Sequence, residues 1–460
     1  VIPERLHRLV AETEELAERF SARGRRLYLV GGVVRDAILD RLSDDGDLDL
    51  TTDARPDEIE EIVAPLADAL WTQGREFGTI GFRKAHRTFE ITTHRAEAYT
   101  PESRKPSVAF ADAVEADLSR RDFTVNAMAI ELTTDAPTLV DPFDGAADLA
   151  THTLRTPLSP EESFSDDPLR MLRAARFIAG YGLVPRDELV EAVGALRERL
   201  EIVSAERIRA ELDRLIVVER PGPGLWFLVT TGLAAEFLPE LPALALEQDP
   251  VHRHKDVLAH TIAVVEKASA DRVLRLAALF HDVGKPKTRS IGPGGVSFHH
   301  HEVVGARMTR DRMRALHYSN DEVDEVSRLV ELHLRFHGFS SDVWTDSAIR
   351  RYVRDAGPLL EKLNELTRCD CTTRNAKKAH DLNVRMDELE AEIARLREQE
   401  ELDAIRPDLD GNQVMEMLDL KPGREVGEAM RYLLELRLEE GPLGEDEARR
   451  RLSDWWATRT

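Results

Sequence analysis

The sequence predicts an α+β protein, a mixed-sheet head with helices followed by an extended all-α body. Three observations carry this. Up to about residue 145, short β-rich runs alternate with helical patterns; beyond that point helical periodicity takes over; and Pro/Gly clusters cut the helical part into segments. At 460 residues the chain is too long for one hydrophobic core, so several domains are expected, divided as 1–150, 151–245, 246–385 and 386–460.

The elements follow in order. Val1 to Arg26 carries Leu6, Leu9, Val10, Leu16 and Phe20 among charged residues, the pattern of an amphipathic helix, with neither the apolar core nor the cleavage site of a secretory signal. Strands are expected at Leu27–Val30, Leu48–Leu50, Thr79–Phe82 and Thr88–Thr92, with further strands in Val125–Leu132 and Leu139–Val140. Helices are expected at Leu169–Ile178, Ser204–Val218, Val257–Lys267, Asp321–Leu334 and Ala379–Glu398. Breaks fall at Pro221–Gly224, Pro239–Pro242 and Ile291–Gly295.

Composition excludes some classes. With 42% hydrophobic and 32% charged residues, and no apolar run near the roughly 18 residues of a membrane span, no membrane partner is expected and a cytoplasmic location is. The two cysteines, Cys369 and Cys371, are too close in sequence for usual disulfide geometry; they are expected as reduced thiols, a metal-binding C-x-C being the alternative. The formal charge of −23 argues against nucleic-acid binding, which draws on Lys and Arg against phosphate. Charge is a sum, however, and a basic groove fits on an acidic body, so function has to be read from sites.

The strongest site signal is Leu29-Val30-Gly31-Gly32-Val33-Val34-Arg35-Asp36 followed by Asp47-Leu48-Asp49-Leu50. Glycines let backbone N–H groups approach phosphate, and aspartates two apart on a strand project from one face. That face offers the hard oxygen ligands Mg²⁺ prefers, beside a nucleoside triphosphate. Either half alone is commonplace, a turn or a solvated strand end; the pairing is what points to chemistry. Further on, Arg170, Arg173 and Arg176 recur every three residues along a helix, and Asp167 supplies acceptors where Arg170 supplies donors. Together these can imitate the pairing edge of a base without a template. The alternative is an Arg-rich helix face paired with local acids.

These motifs, with Asp117 to Ala129 (DLSRRDFTVNAMA), Asp141 to Gly145 (DPFDG) and Asp166 to Phe177, resemble those of the class II CCA-adding enzymes and bacterial poly(A) polymerases, in the polymerase-β-like nucleotidyltransferase superfamily. The resemblance implies template-independent addition of C, C and A to the tRNA 3′ end from CTP and ATP. It implies Asp47 and Asp49 as catalytic Mg²⁺ ligands, Asp167 and Arg170 as base selectors, and Arg173 and Arg176 as nucleotide holders. Gly32, Arg35 and Arg121 match nucleotide-contacting positions, a structural pairing of Arg35 with Asp36 being the other reading, and Asn126 is expected at the nucleotide either to orient the ribose or to hold the loop. Glu90 is either a third acidic group or a cross-strand structural carboxylate. The polar segment Glu97 to Val108 matches a region that in the family helps the site switch from C to A.

His260, His281-Asp282, His301, His333 and Asp370 are spaced as in an HD domain, and the resemblance to HD-containing CCA-adding enzymes extends to about residue 385. His260, His281, Asp282 and Asp370 are the expected ligands of a divalent transition metal, with phosphoester hydrolysis as an accessory activity. In the tail, Asp410 to Met415 and Lys421 to Gly427 look like the family's tRNA-gripping helices, though helix capping explains the same residues, and Trp455 and Trp456 are expected to pack. No obligate protein partner is evident. Competing readings are a poly(A) polymerase, a CC- or A-adding enzyme, and an HD phosphohydrolase with a nucleotide-binding head.

Overall fold

The computed structural model describes residues 4–42, 46–95, 110–134, 136–246, 256–292, 295–338, 344–372, 375–402 and 405–459. The chain forms two compact units, Val1–Pro239 and Glu240–Thr460. The sequence's first two segments fall almost wholly in one unit and its last two in the other. Among the described residues no helix is long and apolar enough to cross a membrane.

The first unit is built on a seven-stranded sheet. Its strands are β1 (Leu27–Val30), β2 (Leu48–Thr52), β3 (Ala69–Trp71), β4 (Thr79–Lys84), β5 (Arg87–Thr93), β6 (Ala129–Glu131) and β7 (Thr138–Val140), in the order β3-β4-β5-β2-β1-β6-β7. β2 and β5 are parallel and the other pairs antiparallel, so the sheet is mixed as expected. β1 lies between β2 and β6 with all four residues buried, which explains its unbroken apolar sequence. The amphipathic helix Glu4–Ala22 buries Leu6, Leu9, Leu16 and Phe20.

Two departures from the sequence reading have clear causes. The stretch expected as a strand from Val125 begins instead with a 3-10 turn, Thr124–Asn126, because Asn126 hydrogen-bonds to Arg35 and Asp122, and only Ala129–Glu131 joins the sheet. β3, three half-buried residues paired with β4, carried no readable alternation. The segment Glu97–Val108, read as a loop, lies outside the described residues.

Beyond β7 the first unit is largely helical, with Leu169–Tyr181 between the two short parallel strands β8 (Thr153–Leu154) and β9 (Val184–Pro185), and Ala205–Ile216 after them. Among its described residues the second unit is helical except for a hairpin, β10 (Arg289–Gly292) with β11 (Gly295–Phe298), where the sequence showed only a break. Its helices include Val257–Lys267, Arg272–Phe280, His301–Ala315, Asn320–Leu332, Leu360–Asp370 and Ala376–Gln399. In the tail, Asp410 caps the helix Gly411–Leu418 through Asn412 and Gln413, so capping accounts for that motif. Trp455 stacks on Tyr432 at 4.5 Å, against a small core of Val414, Leu433 and Leu452. Both cysteines are free thiols, and burial with Glu365 nearby pushes Cys369 up to about 11, which makes it inert.

Candidate active site and a buried histidine–aspartate cluster

The head carries a cleft of about 440 Å³ lined by Gly31, Gly32, Asp49, Glu90, Arg95, Asp117, Arg120, Arg121, Asp122, Asn126, Asp167, Arg170 and Arg173, among others. Five arginines line the cleft among as many carboxylates (Asp49, Glu90, Asp117, Asp122 and Asp167), so its charge is finely mixed rather than that of the acidic chain as a whole.

One wall is the edge of β1 and the turn after it. Gly31 has φ 76°, a left-handed conformation, and a Cβ there would stand 2.7 Å from Arg121 Nη1. Glycine therefore both makes the turn and leaves room for a guanidinium at the cleft wall. The floor is β2 with β5. Their parallel register sets Asp49 beside Glu90. Asp47, just before β2, is exposed, and Asp49 opens to solvent through the cleft. Burial raises Asp49, opposed by Arg121 and reinforced by Asp47; burial, Asp49 and Asp47 raise Glu90. Three carboxylates that resist one another's charge are the electrostatic setting in which a divalent cation is most welcome.

The opposite wall is tied to the first by a chain of polar contacts. Arg35 donates to both oxygens of Asp36 at 2.8 Å and to Asn126 Oδ1 at 2.6 Å, with its guanidinium 4.2 Å from the Tyr181 ring centre. Asn126 Nδ2 donates to Asp122 Oδ1 at 2.9 Å, and Asp122 Oδ2 lies 2.7 Å from Arg173 Nη2. Burial opposes the charge of Asp122, but Arg173, Asn126 and Arg170 outweigh it and hold the carboxyl below its ordinary range. The Gly-Gly-Val-Val-Arg-Asp motif is thereby fastened to the arginine helix.

On that helix, Arg170 donates to Ser163 Oγ at 2.9 Å and to the Arg120 carbonyl, and it is buried. Asp167 stands just before the helix, its carboxylate 3.0 Å from Arg207 Nη2. Both residues line the cleft. Arg176 does not: it pairs with Glu211 at 2.8 Å and lies 4.9 Å from the Phe177 ring centre. Six residues along a helix is roughly 120° round from the start, so Arg170 and Arg176 cannot share a face as closely as the three-residue spacing suggests. Arg35 is likewise absent from the cleft lining and has the pairing with Asp36 that was its other reading. Sequence reasoning passed over Asp117, Arg120 and Asp122, although all three lie in the quoted DLSRRD run, and Arg207, for which an isolated helix arginine gives no signal.

The second unit gathers the other constellation. His281 and Asp282 end the apolar helix Arg272–Phe280 and are almost fully buried. His260 Nε2 lies 2.9 Å from Asp370 Oδ1 and 3.3 Å from His281 Nε2, and His281 Nε2 lies 3.2 Å from Asp282 Oδ2. His301 is the member of His299-His300-His301 that faces inward; His300 is 84% exposed. Burial disfavours charge on His281, but Asp282 and Asp370 outweigh it and push the ring up to about 10. Burial and the neighbouring His281 push His333 down to about 4. The two carboxyls, opposed by burial but favoured by the histidines, lie well below their ordinary value. Imidazoles and carboxylates converging in this way fit a divalent transition metal.

Fold and cleft together define a nucleotidyltransferase of the polymerase-β-like kind. Residues 27–155 match the poly A polymerase head domain, 184–244 the probable RNA and SrmB-binding site of polymerase A, and 257–397 the HD domain. The chain is 35% identical over 362 residues to an A-adding tRNA nucleotidyltransferase of Deinococcus radiodurans, covering 75% of this chain and 80% of that protein. It is 38% identical over 223 residues to a CCA-adding enzyme of Bacillus velezensis, covering 48% of this chain and 53% of that one, so the match spans about half the length of that curated CCA-adding enzyme. The structure of the Bacillus stearothermophilus CCA-adding enzyme in complex with CTP has the same fold, with TM-score 0.70 and 23% identity over 97% of this chain and 98% of that chain. The chain belongs to the family of class II CCA-adding tRNA nucleotidyltransferases and bacterial poly(A) polymerases, in its HD-domain-containing form.

Proposed function

We propose that the protein adds CCA to the 3′ end of tRNA, taking CTP twice and ATP once without a nucleic-acid template. The observation that carries the reading is one cleft holding Asp49 and Glu90 on its floor, Gly31 and Gly32 at one side and Asp167 with Arg170 at the other. Binding alone does not call for metal-holding carboxylates facing a base-selecting pair.

In this reading Asp47 and Asp49, with Glu90 beside them, would hold Mg²⁺, which when bound would supply charge neutralisation at the α-phosphate and the pyrophosphate. The tRNA 3′ oxygen forms a bond to that phosphorus as the bond to pyrophosphate breaks, and the hydroxyl proton passes to solvent or a floor carboxylate. Gly31 and Gly32 leave room for the triphosphate, and Arg121 and Arg173 bind its charge. Asp167 and Arg170 then offer one acceptor edge and one donor edge to C or A, released for the purpose from Arg207 and Ser163. Arg35 and Asn126 position the walls through Asp122, and Arg176 steadies the helix through Glu211. We assign the segments 1–150, 151–245, 246–385 and 386–460 to transfer, base selection, the HD region and tRNA binding. The cytoplasm, where tRNA matures, is the proposed location.

Addition of the terminal A alone is the second reading, favoured by the Deinococcus radiodurans relative. Labelled tRNA ending before CCA, and tRNA ending in CC, separate the two when CTP and ATP are supplied singly and together. The proposal expects two C residues with CTP alone and complete CCA with both. Addition of A to the CC-ending tRNA with no C addition to the shorter one would establish the second reading instead, and long A tails on unrelated RNA would establish a poly(A) polymerase.

A further inference from the structure

We propose that Arg87, on the face of the sheet away from the cleft, is a positioning residue for Asp47: it holds the Gly46 carbonyl and ties it to Glu12 of the helix Glu4–Ala22. The inference rests on the reading of Asp47 as a carboxylate of the transfer site.

Asp47 has a difficulty that Asp49 does not. Asp49 lies within β2, its backbone set by the parallel register Leu48↔Phe89 and Asp49↔Glu90. Asp47 stands just before the strand and is exposed, so the sheet alone does not fix it. A carboxylate that has to work beside Asp49 suffers from each shift of its backbone, since a misplacement of about 1 Å costs on the order of 10²-fold in rate. The chain therefore needs holding on the far side of Asp47, and Arg87 holds it. Arg87 Nη1 donates to the Gly46 carbonyl at 2.8 Å, and Nη2 lies 2.8 Å from Glu12 Oε2. Carried back along both strands, the register that pairs Leu48 with Phe89 sets Gly46 level with Arg87. The guanidinium thus supplies a rung where the β2–β5 ladder has ended, and Asp47 lies between that rung and the first of the sheet.

The surroundings of the side chain favour this role over packing. Leu48, Leu50, Phe89 and Ile91 are buried on the face that Arg87 shares, whereas Asp49 and Glu90 point from the other side into the cleft. Arg87 is 4% exposed, and its Nε is buried without a hydrogen-bond partner. A buried guanidinium with an unanswered N–H is costly, and an apolar side chain would cover the sheet at less cost. What an apolar residue cannot do is hold Gly46. Glu12 is itself well fixed, because its helix buries Leu9 and Leu16 on either side of it.

The test replaces the buried pair by apolar residues. In the full chain, the double variant Glu12→Leu, Arg87→Met removes both charges together and strands neither, so its thermal melt should stay close to that of the unaltered protein. Its kcat for C addition to tRNA should nonetheless fall about 10- to 100-fold, with KM for CTP little changed because Arg121, Asp167 and Arg170 are untouched. In the chain free of nucleotide and metal, amide exchange of the peptide Gly46–Leu50, read by mass spectrometry, should quicken about tenfold while β1 keeps its rate. Arg87→Lys keeps the charge facing Glu12 but has one nitrogen for two partners. It covers the case of a double variant that fails to fold, and should show both changes to a smaller degree. A native kcat or unchanged local exchange in the folded variant would overturn the proposal and leave Arg87 a tie between helix and sheet. If Asp47→Ala itself left transfer intact, the transferase reading would fail and this proposal with it. A native rate in the double variant beside an inactive Asp47→Ala defeats this proposal alone.

Discussion

The protein sets its acidic groups in two contrasting environments. In the head, Asp49 opens to solvent through the cleft with Glu90 beside it, Asp47 is exposed just before β2 and outside the cleft lining, and no histidine is among the described lining residues. In the second unit, His281, Asp282 and His333 are each about 1% exposed, and the imidazoles are fixed by backbone carbonyls. An open site of hard oxygens suits a cation that arrives and leaves with a triphosphate; a closed site of nitrogens and oxygens suits one that stays. One chain thus sets aspartates in two different surroundings, and the difference lies in the neighbours and in access to water.

The comparison breaks first if the head carboxylates are dispensable. Asp47→Ala should lower nucleotidyl transfer by about 10³-fold or more, because the cation contributes several kcal/mol to the transition state, while Mn²⁺ binding by the second unit stays unchanged. Next in size is Asp122→Ala, which leaves the buried Asn126 and the cleft-facing Arg173 without their carboxylate and should cost about 1–3 kcal/mol in denaturant unfolding. Gly31→Ala should cost roughly 1–2 kcal/mol from the left-handed backbone alone, and should raise KM for the nucleotide as Arg121 is displaced. Asp167→Ala should cost under about 1 kcal/mol, since its partner Arg207 is half exposed, yet should blur the choice between CTP and ATP in single-turnover assays.

The last effect is one of shape and concerns the second unit alone. In the metal-free chain His281 titrates near 10 folded and near 6.5 unfolded, so its contribution is complete below about pH 6.5 and is lost as pH rises towards 10. His333 titrates near 4 folded, so between about pH 4 and 6.5 the unfolded chain binds the extra proton and stability rises with pH. Melts of the chelated protein should therefore trace a maximum for the second unit near pH 6.5, and a curve rising steadily to pH 9 would contradict these assignments.

The sequence carried the fold unevenly. β1 was legible because a buried central strand reads as unbroken apolar residues before two glycines. The helix Val257–Lys267 was legible to its ends, where Asp256 caps it. β3 and the β10–β11 hairpin were not, because strands of three or four residues, half-buried in β3 and β11 and mostly exposed in β10, leave no alternation to count. Thr124–Asn126 was misread as strand because what bends it is tertiary, the bonds from Asn126 to residues 91 positions back and four positions back. Within the cleft, Asp49, Gly32, Arg121, Asn126, Asp167, Arg170 and Arg173 were named from motifs and the structure brings them together. Arg35 and Arg176 were named too, but Arg35 turns to Asp36, the pairing the sequence offered as its other reading, and Arg176 to Glu211, whose position only the fold reveals. Arg207 left no trace, because its meeting with Asp167 spans 40 residues.

Diffraction from crystals soaked with CTP and Mn²⁺, read through the anomalous signal of the metal, tests the central claim most directly. A peak among Asp47, Asp49 and Glu90, touching the triphosphate while the cytosine edge meets Asp167 and Arg170, is the expected result. A nucleotide bound elsewhere, or a cleft in which those aspartates turn away from it, would contradict the account.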